Sequence, residues 1–291
     1  MASKSIKGKG PTKRESALKS ALKGIPMMCS RRLVAILLLS ITLCTPAAAQ
    51  DWAKKKLESS PRHLEWVTVP SGERKVETFV AYPENAEKAT VVLVIHEIFG
   101  LSDWIKLQCD DLAAAGFIAV APDMLSGSGQ GGAIEDVEAA RKAISLLPPE
   151  QVTADLKAVA AYAKDLKAGN GKLVVAGFCW GGTQTFRFAT ECGTMAACFP
   201  FYGSAPEDKA ALAKISRPIY GFYAQNDARV NATLPATEQA LKELGKSFEP
   251  VIYTEAGHGF MRAGVAPDAS AANAQAHEDA WKRWLELLRK L

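Results

Sequence analysis

The residues best suited to covalent chemistry lie in one short motif, G-F-C-W-G-G at positions 177–182. Glycine-x-cysteine-x-glycine is typical of a nucleophile elbow, the tight turn between a strand and a helix that presents an attacking side chain. A β-rich run, 172–176, precedes the motif and a helical run, 182–191, follows it. The dipole of that helix favours a thiolate, and its free N–H groups can bind an oxyanion. We therefore predict Cys179 as a nucleophile; a structural cysteine in a glycine turn is the alternative.

A base and an orienting acid are expected further along the chain. His258 lies between two glycines in E-A-G-H-G-F, directly after the last predicted strand, and Asp227 follows the strand that ends at Tyr223. In chain order, Cys179, Asp227 and His258 each come just past the carboxyl end of a predicted strand, where open α/β sheets build their sites. His258 would accept the thiol proton, and Asp227 would bind the other imidazole nitrogen.

Other polar residues receive structural interpretations. His63 lies in the polar approach to the first strand, and His277 lies in an amphipathic final helix, where a solvated surface position is expected. Glu207 and Asp208 precede a helix and are interpreted as capping charges.

The motif H-E-I-F-G-L, positions 96–101, follows the most apolar predicted strand, 89–95. In α/β folds with a nucleophile elbow, the loop after this strand supplies the second oxyanion donor, so we predict the backbone N–H of Ile98 as one donor and that of Trp180 as the other. Glu97 could pair with the thiol. His96 and Glu97 do not form a zinc motif, because position 100 is glycine and not part of an HExxH pattern. No metal and no cofactor are predicted.

The cysteines outside the amino-terminal segment are Cys109, Cys179, Cys192 and Cys198. They contain no CxxC pair, which argues against a thiolate zinc site or a thioredoxin-type redox centre. A disulfide between Cys192 and Cys198 would close a small loop, and buried free thiols are the simpler alternative.

From Trp66 onward, short β-rich runs alternate with longer helical runs, and no linker divides them. The predicted strands are 67–70, 75–82, 89–95, 117–121, 172–176, 196–201, 218–223 and 249–253. The predicted helices are 102–115, 134–147, 151–168, 182–191, 234–244 and 272–291. Strands joined by helices of this length imply parallel crossovers. The fold class is therefore α/β, one domain over residues 65–291 with a mostly parallel central sheet and helices on both faces.

The basic charge of the chain comes from its amino-terminal segment. Residues 1–49 contain nine Lys and Arg and a single acid, and subtracting their net +8 from the chain's +4 leaves −4 for the remainder. A nucleic-acid partner is therefore not expected. Arg31 and Arg32, the apolar run 33–44 and the small residues 47–49 form the three parts of a secretory signal peptide.

We expect cleavage after Ala49 and an exported protein, periplasmic or secreted. A start at Met27 or Met28 would give a leader of ordinary length, and the sequence leaves that choice open. The apolar run is shorter than the roughly 20 residues that span a bilayer, so no stable membrane insertion is expected after cleavage. Residues 50–64 are interpreted as an approach segment to the domain.

Taken together, H-E-I-F-G-L, G-F-C-W-G-G, the Asp227 segment and G-H-G-F resemble the dienelactone hydrolase family, thiol members of the α/β-hydrolase fold. The resemblance covers Val69 to Leu291. It implies ester or lactone hydrolysis of a small molecule through a triad of Cys179, Asp227 and His258. It also implies that Glu97 pairs with the resting thiol until substrate displaces it. A core of this size needs no partner to bury itself, so a monomer is expected.

The family resemblance also concerns substrate binding. Two arginines bind the substrate carboxylate in dienelactone hydrolases, and Arg262 matches one of them. The other is expected shortly after an A-P-D turn, and the matching segment, 121–127, contains no arginine. This departure argues against dienelactone itself as the substrate, while ester or lactone hydrolysis stands. Trp180 and Tyr202 would line an acyl or aromatic pocket, with aromatic core packing as the alternative.

Two other functions are compatible with these motifs. One is a peptidase of the same fold, although no further segment resembles a lid or propeller domain. The other is a catalytically silent fold used for binding, which an intact nucleophile, acid and base argue against.

Overall fold

The structure is a computed structural model that describes residues 51–85, 87–127 and 137–291. The predicted signal peptide, the alternative starts at Met27 and Met28, and the first residues of the helix predicted over 134–147 lie outside the described residues.

The described residues form one sheet of eight strands. The strands are β1 (His63–Ser71), β2 (Arg74–Tyr82), β3 (Ala89–Ile95), β4 (Ile118–Pro122), β5 (Gly169–Phe178), β6 (Cys198–Phe201), β7 (Ile219–Asn226) and β8 (Phe248–Gly257). Their order across the sheet is β1-β2-β4-β3-β5-β6-β7-β8. β2 pairs antiparallel with both β1 and β4, and the remaining neighbours are parallel. This is the mostly parallel sheet predicted from the sequence.

Helices connect the strands. In the described residues they are α1 (Asp51–Glu58), α2 (Asp103–Ala114), α3 (Val137–Ser145), α4 (Pro149–Lys164), α5 (Trp180–Glu191), α6 (Lys209–Ala213), α7 (Ala228–Asn231), α8 (Leu234–Glu243), α9 (Phe260–Ala263) and α10 (Ala271–Lys290). Within those ranges, no helix combines the length and apolar character that crossing a bilayer requires.

The central strand β3 explains why helices cover both faces of the sheet. All seven of its residues are buried, and successive side chains of a strand point to opposite faces. Val92 and Val94 pack into one core cluster with Trp104 of α2 and Trp284 of α10. Leu93 packs into a second core cluster, which includes buried residues of helices α4 and α5. The predicted arrangement of helices on both faces is confirmed.

The amino-terminal approach segment is part of the fold. α1 packs against α2 and buries Ala53 completely, and β1 begins at His63, four residues before the predicted strand. Asp110 of α2 is buried, and its carboxylate accepts hydrogen bonds of 2.6 Å from Arg62 and from Ser60. A helix of eight residues is too short for its periodicity to stand out, which is why the sequence did not predict it.

Two further short helices, α7 and α9, were also missed, because four residues show no helical period. Asp208 caps α6 as predicted, its carboxylate accepting a 2.8 Å hydrogen bond from the backbone N–H of Ala210. The helix predicted over 151–168 ends earlier, at Lys164, and Gly169 already belongs to β5. A Cβ at Gly169 would lie 3.3 Å from the side chain of Val91, so the start of β5 approaches β3 closely.

Candidate active site

Cys179 lies in the sharp turn between β5 and α5 that the motif predicts. Its φ of 56° is in the left-handed region, which a non-glycine residue rarely adopts. Strain of this kind persists only where the surrounding structure enforces it, and it concentrates at functional sites. The side chain is half-buried at the amino-terminal end of α5.

Two glycines allow this turn. A Cβ at Gly177 would overlap the carbonyl of Gly181 and lie 2.6 Å from the Thr185 hydroxyl oxygen. A Cβ at Gly181 would overlap the backbone of β3, with 2.7 Å to the carbonyl carbon of Ile95. The elbow therefore packs α5 directly against two strands, which only glycine permits at these positions.

The variant Gly181→Ala is expected to lose about 3 kcal/mol of unfolding free energy or more, because backbone atoms of β3 cannot move aside for the added methyl group. Urea unfolding followed by circular dichroism measures this loss. Gly193→Ala is the matched control, since its Cβ would meet only the Ser216 hydroxyl oxygen, at 3.2 Å. Equal stability of the two variants would contradict the close packing of the elbow.

The acid and the base meet because of strand register. Asn226 of β7 pairs with Gly257 of β8, so the residues that follow them, Asp227 and His258, leave the sheet side by side. Asp227 Oδ2 lies 2.5 Å from His258 Nδ1. Its other oxygen, Oδ1, accepts a 3.3 Å hydrogen bond from the backbone N–H of Val230 and so caps α7. The carboxylate is buried, and its two contacts hold it facing the imidazole.

The surroundings of Cys179 favour the neutral thiol. Burial raises the pKa of this thiol to about 11, and the negative charge of Glu97 also raises it. Hydrogen bonds from the backbone N–H groups of Trp180 and Ile98 act in the opposite direction, as does the positive charge of Arg229. Among the described residues, no side-chain hydrogen bond joins the sulfur to His258 or to Glu97.

Glu97 is held by Arg262. Arg262 Nε donates a 2.9 Å hydrogen bond to Glu97 Oε2, and the guanidinium carbon lies 5.1 Å from the ring centre of Phe99. Burial raises the pKa of Glu97, while Arg262 favours its charged form. The family resemblance implies that Glu97 pairs with the thiol, but the structure pairs the carboxylate with Arg262. The two residues are 165 positions apart, so no local pattern could predict this pair.

The variant Arg262→Met is expected to cost about 3 kcal/mol of unfolding free energy at pH 8, because it leaves a buried carboxylate without its partner. The loss should shrink at pH 5. Without Arg262 the folded-state pKa of Glu97 rises further above its unfolded value, so the variant loses stability as pH rises between those values. Urea unfolding at both pH values measures the effect. In the double variant with Glu97→Gln the loss should become smaller, and an equal loss at both pH values would contradict the ion pair.

Tyr202 lies behind the histidine. It is completely buried at φ 39°, and its ring centre lies 5.0 Å from that of His258 and 5.4 Å from that of Phe260. Its hydroxyl oxygen has no hydrogen-bond partner in the described part of the chain. The ring therefore supports the imidazole by packing, and its predicted role in lining a substrate pocket stays a prediction.

His96, whose sequence context was weighed only against a zinc motif, is also a residue of the site. Its Nδ1 lies 2.7 Å from the carbonyl oxygen of Glu97, and its Nε2 accepts a 3.2 Å hydrogen bond from the backbone N–H of Met124. The ring also stacks on Trp180, with 5.6 Å between centres. Burial lowers the pKa of His96. A neutral His96 thus connects both oxyanion-donor segments to the loop after β4.

The prediction for His277 was wrong. The side chain is partly buried, its Nδ1 lies 2.9 Å from the carbonyl oxygen of Met261, and burial lowers its pKa. It therefore ties α10 to α9, the short helix that carries Arg262. Asn273 of α10 acts similarly, because its Oδ1 accepts a 2.9 Å hydrogen bond from the backbone N–H of Gly257, next to His258. The final helix is thus part of the support for the site.

The four cysteines in the described part of the chain are free thiols, so no disulfide joins Cys192 to Cys198 in this structure. Cys109 and Cys198 are fully buried, and burial raises the pKa of the Cys198 thiol to about 12. Within residues 51–85, 87–127 and 137–291, no group of three or more metal-ligating side chains occurs.

An eight-stranded, mostly parallel sheet with a strained elbow after its fifth strand defines an α/β hydrolase. The sequence model of the Dienelactone hydrolase family matches residues 76–291. The chain belongs to this family, which makes it a hydrolase of small molecules.

Curated relatives and a solved structure agree with this family membership. Several curated relatives carry the name "Putative carboxymethylenebutenolidase". The protein from Methylorubrum extorquens is 31% identical over 236 residues, 77% of this chain and 80% of the relative. The protein from Saccharolobus solfataricus is 32% identical over 252 residues, 75% of this chain and 95% of the relative. A crystal structure from Klebsiella pneumoniae subsp. pneumoniae, described as a "Putative Dienelactone Hydrolase", is 28% identical with a TM-score of 0.69, covering 79% of this chain and 99% of its own.

Proposed function

We propose that this protein hydrolyses carboxylic esters or lactones through a thioester on Cys179. The observation that carries the proposal is the convergence of three features at one edge of the sheet. They are a strained cysteine in the elbow, two backbone N–H groups that lower the pKa of its thiol, and a histidine held by a buried carboxylate.

In the first half-reaction, His258 Nε2 takes the thiol proton while the Cys179 sulfur attacks the carbonyl carbon. The carbonyl oxygen becomes an oxyanion and accepts hydrogen bonds from the backbone N–H groups of Ile98 and Trp180. The imidazolium then gives its proton to the leaving alcohol as the carbon–oxygen bond breaks, and a thioester remains. Asp227 accepts a hydrogen bond from Nδ1 and so stabilises the imidazolium.

In the second half-reaction, His258 takes a proton from water, which attacks the thioester carbonyl. Collapse of the second oxyanion releases the carboxylic acid, and the proton on His258 returns to the sulfur. The reaction consumes only substrate and water. A thiol with a pKa of about 11 is neutral in the resting enzyme, which would protect an exported cysteine from oxidation.

The test is the initial rate of residues 50–291 on a neutral 4-nitrophenyl ester and on a dienelactone. We expect turnover of the neutral ester that is lost on alkylation of Cys179. Turnover of both substrates would identify a dienelactone hydrolase in the narrow sense. Turnover of neither would overturn the proposal and favour a binding role for the fold.

We also propose that the protein is exported and acts as a monomer. The basic, apolar and small-residue segments of 1–49 support export, and the size of the core supports a monomer. Expression in a Gram-negative host should yield a periplasmic protein that begins at Gln50 and sediments as one chain. Retention of residues 1–49 would contradict export, and sedimentation as a dimer would contradict the proposed monomer.

A further inference from the structure

Both ring nitrogens of His96 are bonded to the backbone, and these two bonds fix one form of the imidazole. Nδ1 lies 2.7 Å from the carbonyl oxygen of Glu97, which can only accept a hydrogen bond, so Nδ1 carries the proton. Nε2 lies 3.2 Å from the backbone nitrogen of Met124, whose N–H can only donate, so Nε2 is unprotonated. Only a neutral imidazole makes both bonds. Burial lowers the pKa of His96 and favours this form, while the charge of Asp123 opposes it.

The hydrogen bond from Nδ1 acts on the peptide group that carries a predicted oxyanion donor. The carbonyl of Glu97 and the N–H of Ile98 belong to one planar trans peptide, so the two bonds point in opposite directions. A donor that holds the Glu97 oxygen therefore also sets the direction of the Ile98 N–H. The same bond polarises that N–H and strengthens it as a donor. Its effect reaches the nucleophile, because a hydrogen bond from Ile98 lowers the pKa of the Cys179 thiol.

The partner of Nε2 is held in place by β2. The carboxylate of Asp123 accepts a 3.0 Å hydrogen bond from the backbone N–H of Leu125, and its carbonyl accepts one of 2.5 Å from the Ser126 hydroxyl. The hydroxyl oxygen of Ser126 in turn accepts a 2.9 Å hydrogen bond from the backbone N–H of Glu77 in β2. The ring of His96 is thus anchored to the sheet at one nitrogen and can align a peptide with the other.

His96 also lies against the segment of the second predicted donor. Its ring stacks on that of Trp180, with 20° between the ring planes. A Cβ at Gly181 would lie 2.5 Å from the carbonyl oxygen of His96, so the first turn of α5 lies directly on this residue. One completely buried side chain therefore contacts both segments from which oxyanion donors are predicted.

We propose that His96 is a positioning residue that aligns the peptide between Glu97 and Ile98, so that the Ile98 N–H is directed at the oxyanion formed during attack by Cys179. The inference rests on the proposed function, because it assigns the residue that prepares that site for its transition states. In this role His96 needs no contact with the substrate, since it acts through the peptide. Both half-reactions form an oxyanion, so a misaligned donor should lower kcat and leave KM nearly unchanged.

Two substitutions separate the two ring contacts. In His96→Asn the amide nitrogen lies close to the position of Nδ1 and can donate to the Glu97 carbonyl. In His96→Gln the amide oxygen lies close to the position of Nε2 and can accept from Met124, but no donor remains for Glu97. We expect His96→Gln to lower kcat for a neutral 4-nitrophenyl ester about 10²-fold, the loss typical of one oxyanion donor. His96→Asn should stay within about tenfold of the unmodified protein, with KM nearly unchanged in both variants.

A transition-state analogue gives the second measurement. The Cys179 sulfur adds to the carbonyl carbon of an alkyl trifluoromethyl ketone, the π electrons move to the carbonyl oxygen, and His258 takes the thiol proton. The oxyanion of this adduct accepts hydrogen bonds from the same donors as the transition state. The inhibition constant should therefore rise in His96→Gln by about the factor by which kcat/KM falls, and His96→Asn should restore most of the affinity. A loss of packing alone would not produce this correspondence.

Two further variants serve as controls. Val91→Ala is the control for stability, because Val91 is buried in β3 at the end of the strand away from the site. It should lower the urea midpoint and leave kcat within about twofold of the unmodified protein. His96→Phe keeps a ring on Trp180 without either hydrogen bond. It should lose as much kcat as His96→Gln, and it replaces that variant in the comparison if His96→Gln does not fold.

The outcomes separate the two proposals. If the unmodified protein neither turns over the ester through Cys179 nor binds the ketone there, the proposed function and the assignment of His96 both fail. Binding of the ketone that depends on His96, without ester turnover, would overturn the function alone. Turnover with equal kcat in His96→Asn and His96→Gln would overturn the assignment of His96 and leave the function standing.

Discussion

Cys179→Ala is expected to lower kcat for ester hydrolysis about 10⁴-fold or more, the loss typical of removing the nucleophile from a catalytic triad. Among the four described cysteines, only Cys179 lies at positive φ in a turn between a strand and a helix, so no alternative thioester is expected. The fold should survive, because the Cys179 side chain makes no capping hydrogen bond to α5. Initial rates measure the loss of kcat, and circular dichroism checks that the variant is folded.

The matched control is Cys192→Ala, which removes another partly buried free thiol without touching the elbow. With a slowly hydrolysed ester, intact-protein mass spectrometry should detect an acyl adduct in the control and none in Cys179→Ala. Hydroxylamine should release that adduct, since it cleaves thioesters. Full activity of Cys179→Ala would contradict covalent catalysis by this residue.

Asp227→Asn has the second largest expected effect, a loss in kcat of about 10³-fold to 10⁴-fold. The amide of asparagine can donate a hydrogen bond to Nδ1 of His258, which selects the tautomer with the proton on Nε2. That nitrogen then cannot accept the thiol proton. Asparagine caps helices about as well as aspartate, so the hydrogen bond from Val230 that begins α7 should be retained.

Asp208→Asn is the control for this variant, because Asp208 is also a helix N-cap and has no histidine partner. It should leave kcat within twofold of the unmodified protein. Urea unfolding compares the stability of both variants. Loss of the helix cap would lower the unfolding free energy, whereas loss of the oriented base would lower only kcat. Activity of Asp227→Asn within tenfold of the unmodified protein would contradict the proposed role of the Asp227–His258 pair.

The predicted site residues depended on patterns a few positions long. The glycines of the elbow require a close approach of strand and helix, and the order of nucleophile, acid and base follows the order of the strands. The continuous apolar run of β3 predicts a strand covered on both faces, and the sheet confirms it at its centre. Such features can be predicted because hydrophobic periodicity and the residue types that turns require are local properties of a chain.

The partners of those residues could not be predicted. Glu97 is paired with Arg262 and not with the thiol, His96 connects both oxyanion-donor segments, and His277 is tied to α9 instead of facing solvent. Each contact depends on the register of distant strands and on how helices pack against the sheet. Hydrophobic periodicity carries no information about either.

The fold class, the family resemblance and the candidate nucleophile, acid and base could be read from the sequence alone, because each is encoded by residues that are close in the chain. Which charged groups form pairs depended on the three-dimensional fold. It paired Arg262 with a buried carboxylate, Glu97, which lies 165 positions away in the chain. The physical reason is that charge pairing depends on burial and on distance in space, and the fold brings together groups that the sequence separates.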